Sequence, residues 1–173
     1  MDKKLLIVAI VFIVLIVIIF VSFKLSQPSR EIQKELLDNA EILILDGKAE
    51  LIINIEDIKS LEEETFEAVL DTSSTKPSLH TYKGVQIKHL LSHFKIPLDS
   101  NDIIVLSGAD SYGVAYSGAE VLKEGNIYIA FMEDGEYLGT LENGGTGPFE
   151  AIVKLDQFSN RRCKWLTKIE VRR

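Results

Sequence analysis

One short stretch, RRCKWLTKIEV from Arg161 to Val171, places the chain's only cysteine and only tryptophan among basic residues of an otherwise acidic protein. A thiol beside cations is the arrangement that lowers a cysteine pKa and makes a nucleophile or a soft metal ligand. Arginine and lysine are also the charge-assisted donors that a phosphate or carboxylate requires. Strand alternation opposes the thiol reading. If Lys164–Val171 is a strand, Cys163, Trp165, Thr167, Ile169 and Val171 share one face, and Arg162, Lys164, Leu166, Lys168 and Glu170 share the other. Cys163 then points with the apolar side chains, where a free cysteine packs as a small hydrophobe. The basic residues keep two readings, a solvated strand face or an anion site.

Four other groupings invite a chemical reading. His89 and His93 lie four apart, the spacing that lets two imidazoles on one helix share a metal. No His-Glu-x-x-His pattern accompanies them and no third ligand is placed, so they read as surface histidines. His80 lies in the turn-rich STKPSLHTYKG and reads as a loop hydrogen bond, an anion donor or a proton carrier. NGGTGPF, Asn143 to Phe149, suits either a nest of backbone N–H groups for an anion or a tight turn between strands, and it lacks the P-loop lysine. Tyr112, in the turn Asp110 to Gly113, is placed either to stack on a planar ligand or to wall the core. The acidic run EDIKSLEEE reads as a solvated helix face, and no serine, histidine and aspartate motif specifies a nucleophilic triad.

The elements that must position these groups are mostly short strands. EILILDGKAELIINI carries Asp46-Gly47 between two apolar runs, a hairpin signal, and a brief helix follows from Ile55. TFEAVLDT is a further strand, and STKPSLHTYKG is expected as a loop. VQIKHLLSHF repeats Ile87, Leu90, Leu91 and Phe94 at helical spacing. NDIIVLSGADSYGVAYS, GAEVLKE and NIYIAFMEDGEYL give a strand and turn, a short helix, and a strand pair turned at Asp134-Gly135. NGGTGPFEAIVKL and KWLTKIEV supply the last strands. The fold class is therefore α+β with a mainly β core.

Ahead of this body, Leu5 to Phe23 contains no charge over 19 residues, which nearly spans a hydrocarbon layer of roughly 30 Å as a helix. The expectation is a transmembrane anchor at residues 1–23, a polar, partly helical juxtamembrane linker at 24–40, and one domain at 41–173. No cysteine follows the apolar run, which excludes a lipoprotein anchor. Lys3 and Lys4 before the span favour an inside N-terminus and an extracytoplasmic domain on a single-pass protein in the cell membrane. Without Asp2, Lys3 and Lys4 the chain holds 17 basic and 25 acidic residues, a formal net charge of −8. Such a surface disfavours nucleic acid and anionic lipid as main partners. A lone cysteine rules out an internal disulfide.

Taken in order, LILDGKAELIINIEDIKSL, YKGVQIKHLL, SGADSYGVAYS, MEDGEYL, GGTGPFEAIV and RRCKWLTKIEV resemble the oxidoreductase molybdopterin-binding domain, the sulfite oxidase fold, from Glu41 to Val171. The resemblance implies a sulfite oxidase-like fold and a molybdopterin cofactor. It implies a cysteine completing the metal's sulfur ligation from a loop before the Gly84 to Leu91 segment, and basic residues near the closing strand holding the pterin phosphate. In this chain the cysteine's place falls near Asp71 to Ser74, in LDTSSTKPSLHTYKG, where Thr72 and Ser73 offer hydroxyls, which are harder and far less acidic than a thiol. The resemblance also puts the His80 loop at the mouth of the pocket. The candidate pocket residues are thus Thr72, Ser73, His80, Tyr112, Gly145, Arg161, Arg162 and Lys164. No residue is assigned as catalytic or as a metal ligand. The expectation is a non-catalytic module for a small anionic or pterin-like ligand. The alternatives are a molybdopterin oxidoreductase with oxygen ligation and a structural partner of another membrane protein.

Overall fold

The computed structural model describes residues 11–21, 30–47, 49–72, 75–156 and 158–173. Helix α1 covers 11–21, and its side chains are apolar and exposed all round. Among the described residues no helix is long and apolar enough to cross a membrane; the ends of the Leu5 to Phe23 run lie outside them. Helix α2 (Arg30–Asp38) then leads into ten strands.

The first sheet has the order β2-β1-β10-β5-β6, from β1 (Glu41–Asp46), β2 (Ala49–Asn54), β5 (Ile103–Gly108), β6 (Gly113–Ser117) and β10 (Leu166–Arg172). Its β1–β10 contact is parallel and joins the start of the body to its end. The second sheet runs β3-β4-β7-β8, from β3 (Glu64–Thr72), β4 (Thr75–Gln86), β7 (Ile127–Glu133) and β8 (Glu136–Tyr137), with β9 (Glu150–Val153) also on β7. Short helices α3 (Ile55–Lys59), α4 (Ile87–His93) and α5 (Gly118–Leu122) connect strands.

Alternation explains the layering. Ile42 and Ile44 of β1, Ile104 and Leu106 of β5, and Ile169 and Val171 of β10 face Val85, Ile127, Ile129 and Phe131 of the second sheet in one core. Strand β7 is buried on both faces, because Tyr128 and Ala130 point the other way. They join Phe66, Ala68, Tyr82, Leu138 and Ile152 in a smaller apolar cluster on the outer face of the second sheet. Phe66 stacks on Tyr128 there, with ring centroids 4.0 Å apart. The helices start where local chemistry dictates. The Asn54 Oδ1 accepts from the amides of Glu56 and Asp57, and Asp57 accepts back from the Asn54 amide, a capping box opening α3.

Three expectations change. From Thr75 on, STKPSLHTYKG lies in strand β4 rather than in a loop, paired to β3 from Thr75 to Gly84, while Ser74 lies outside the described residues. Its pairing to β7 begins only at Tyr82, so Pro77 sits where one side of β4 has no ladder to interrupt. Second, the closing strand starts at Leu166. Trp165 adopts a left-handed φ of 49°, and the register slips between Leu166 and Lys168. Leu166 is therefore buried and Thr167 exposed, the reverse of the simple alternation, while Ile169 and Val171 point inward as expected. Third, α2 places Leu37, 1% exposed, in the main core, so packing begins ahead of Glu41.

Candidate functional site

The outer face of the second sheet is partly roofed by the segment after β9, which contains a 3-10 turn at Ser159–Arg161. This roof is stitched to the end of β3. The Ser159 hydroxyl accepts from the Asp71 amide at 2.7 Å and donates to the Val69 carbonyl at 3.1 Å. Arg162 donates to the same carbonyl at 2.8 Å. Across the gap, Tyr112 donates its hydroxyl to the Asn160 carbonyl at 2.9 Å. Beneath the roof lies an open cleft of about 540 Å³, lined by Leu70, Asp71, Thr72, Phe158, Ser159, Asn160 and Lys164.

The basic residues part company. Arg161 forks both nitrogens onto the two Asp156 oxygens at 2.7 Å and reaches Glu120 at 2.6 Å, and these carboxylates raise its pKa further. Arg162 is buried. It donates to the Tyr82 hydroxyl at 2.9 Å, lies over that ring 5.0 Å from its centroid, and approaches Glu150 at 3.6 Å. Neither guanidinium lines the cleft; Lys164 does. Glu150, which feels the charge of both Arg162 and Lys164, is 1% exposed, with one carboxylate oxygen lacking a hydrogen-bond partner among the described residues. Burial pushes its carboxyl up, and Arg162 opposes that shift.

Cys163 is fully buried on the opposite side of its segment, hydrogen-bonded through its backbone to Ala151 at 2.9 and 3.0 Å. Desolvation pushes its thiol up to about 12. The core reading of Cys163 therefore rests on geometry as well as alternation, although the Trp165 twist means that the strand phase used to reach it holds only in part.

The other candidates are dispersed. Thr72 is half-buried in the cleft wall, and Ser73 lies outside the described residues. His80 stands on β4 away from the cleft, 2.7 Å from Asp134 and 3.1 Å from Glu133. Tyr112 is an exposed rim residue rather than a core wall. Gly145 is not part of an anion nest. The amides of Gly144, Gly145, Thr146 and Gly147 are spent on Leu141, Thr140, Leu138 and Gly139 carbonyls, and the Gly145 carbonyl accepts from the Trp165 indole at 2.7 Å. His93 is exposed and edges onto Phe94, and His89 sits 4.0 Å from Glu124. Phe158, Ser159 and Asn160 carry no local signal in the sequence. They reach the cleft because Ser159 bonds Asp71 and Val69, 88 and 90 positions away.

These donors do not fit a molybdenum-bearing pterin whose metal takes a protein thiolate. At the position the resemblance assigns to that thiolate stand Asp71 and Thr72, the one thiol of the chain is in the core, and both neighbouring guanidiniums are committed to protein groups. The cleft instead is mixed, with one ammonium, one carboxylate, hydroxyls and an amide beside the apolar side chains of Leu70 and Phe158.

A family model described as the oxidoreductase molybdopterin binding domain matches residues 41–173. The sulfane dehydrogenase SoxCD from Paracoccus pantotrophus is similar in fold, with a TM-score of 0.65 at 17% sequence identity. The match covers 84% of this chain but 39% of the SoxCD chain. No curated protein matches the sequence.

Proposed function

Because this chain belongs to the oxidoreductase molybdopterin-binding domain family over residues 41–173, and its cleft lacks the sulfur donor that the chemistry of such a metal calls for, we propose that it is a non-catalytic binding module on a membrane anchor. Its ligand is a small anionic, pterin-like molecule free of metal. The observation that carries this reading is the lining of the cleft. Lys164 supplies a cation for a phosphate or carboxylate, Asp71 accepts from a donor edge such as the amino-pyrimidinone of a pterin, and Phe158, 60% exposed, offers a face for a planar ring. The anchor is supported by the uncharged run of Leu5 to Phe23 and by α1, a helix apolar on every side that packs on nothing described. The extracytoplasmic placement rests on Lys3 and Lys4 alone.

Calorimetric titration of the full-length protein with a phosphorylated pterin and with inorganic phosphate tests the proposal. Saturable binding of at least the first, weakened roughly tenfold or more by Lys164→Ala, is expected for one charge-assisted contact. Absence of binding, or binding indifferent to Lys164, contradicts it.

A second reading, a structural partner of another membrane protein, is favoured by a separate cleft of about 410 Å³ lined by Leu36, Leu141, Pro148, Phe149 and Trp165. It predicts that Leu141→Asp disrupts a complex isolated from native membranes while pterin binding is unchanged.

A further inference from the structure

Where the β4–β7 pairing of the second sheet ends, three side chains from two strands and a turn converge away from the cleft. His80 Nδ1 lies 2.7 Å from an Asp134 oxygen and 3.1 Å from a Glu133 oxygen. None of the three lines the cleft, so their chemistry is independent of the proposed ligand. Each side chain is held from behind by a different group. The Ser78 hydroxyl is 2.8 Å from His80 Nε2, two residues back on the same face of β4. The other Asp134 oxygen accepts from the Thr81 amide at 2.9 Å, and that contact, ahead of His80, holds the carboxyl below the usual carboxylate range. The Glu133 oxygen that faces His80 also accepts at 2.8 Å from the Tyr82 hydroxyl, which Arg162 in turn engages from the buried side. The Asp134-Gly135 turn, with φ of 49° and 85°, presents Asp134 to β4 and fixes the geometry of the hairpin end.

We propose that His80, Glu133 and Asp134 form a binding site for a divalent transition-metal ion of the zinc class, with water completing the coordination. With Nε2 turned to Ser78, Nδ1 and one oxygen of each carboxylate lie within 4.8 Å of one another. A proton on Nδ1 makes its hydrogen bond to Asp134 and none to Glu133, 3.1 Å away, whereas a divalent cation gives each of the three donors a bond of its own. One imidazole nitrogen and two carboxylate oxygens are ligands that zinc accepts, at about 2.0–2.2 Å. Such bonds set neighbouring donor atoms roughly 3.0–3.5 Å apart, so the Glu133 contact already has the spacing and the Asp134 contact opens by about half an ångström. The Ser78, Thr81 and Tyr82 contacts are the kind of outer partner that orients metal ligands. The side chains are 24%, 27% and 56% exposed, which leaves the ion a path from solvent.

The test is titration of chelator-treated full-length protein with Zn2+ by calorimetry and with Co2+ by visible absorption. One equivalent of saturable binding is expected, weakened roughly 100-fold by His80→Ala and by Asp134→Asn, and about tenfold by Ser78→Ala. His89→Ala leaves it unchanged. Asp134→Asn keeps an oxygen for the Thr81 amide, and an unchanged metal-free unfolding midpoint shows that this variant is folded. The proposal is overturned if neither ion binds saturably, or if binding survives His80→Ala.

Discussion

At the residue scale, Cys163 and Glu150 show how far identity is from role. A thiol flanked by Arg162 and Lys164 has the composition of a reactive cysteine, yet the neighbouring cations project to the other side of the segment and the sulfur lies in the core. With burial pushing its thiol up to about 12, Cys163 is held as the unreactive thiol at pH 8. Native protein should therefore resist a thiol-specific alkylating reagent at that pH and label once per chain after denaturation, as mass spectrometry would read; rapid native labelling would refute the burial. Glu150 is the opposite case, a carboxyl whose pKa the fold raises. The folded state holds its proton more tightly than the unfolded chain, so its contribution is greatest below the ordinary carboxylate pKa and is lost as pH rises through the raised value. Urea unfolding at pH 4, 6 and 8 should show Glu150→Gln gaining on the wild type with rising pH. A gap that stays constant or shrinks would mean that Arg162 outweighs desolvation.

At the element scale, most strands and the helices α3, α4 and α5 were legible, because hairpin dipeptides and apolar spacing are local signals. Helix α4 is one example, with Ile87, Leu90 and Leu91 buried on one side. β4 was not legible. Its Pro77, Ser78 and Gly84 are turn-like in composition, and the strand exists because β3 supplies hydrogen bonds from Thr75 to Gly84 and β7 joins from Tyr82 on. The site suffers from the same limit. The roof residue Ser159 meets Asp71 and Val69 only after folding, and His80 meets Asp134 from 54 positions away. The backbone turn at Gly144 to Gly147 looked like an anion nest because the glycines carry no record of where their amides are spent. Gly84 illustrates the tertiary constraint on β4. A Cβ there would overlap the Ile129 carbonyl and come within 2.8 Å of the Ala130 Cα, both rigid backbone of β7. Gly84→Ala should cost at least about 2 kcal/mol in denaturant unfolding. Gly113→Ala, whose Cβ meets nothing nearer than the Leu106 oxygen at 3.7 Å, should cost less than about 1 kcal/mol. Equal costs would show that β4 and β7 can separate without penalty.

At the scale of the whole molecule, the family's fold is present, and the proposed reading turns on the donors that line its cleft. Two sheets packed on one apolar core frame a cleft between the end of β3 and the segment before β10. The residues that frame it, Asp71, Thr72, Ser159, Asn160 and Lys164, are hard oxygen and nitrogen groups. Fold does not fix activity; the site does. The most direct measurement is metal and pterin analysis of the full-length protein purified from a host that makes the molybdenum cofactor. Molybdenum far below one equivalent per chain is expected, whether or not a metal-free pterin is recovered. Molybdenum near one equivalent, retained through purification, would contradict the non-catalytic reading of the cleft.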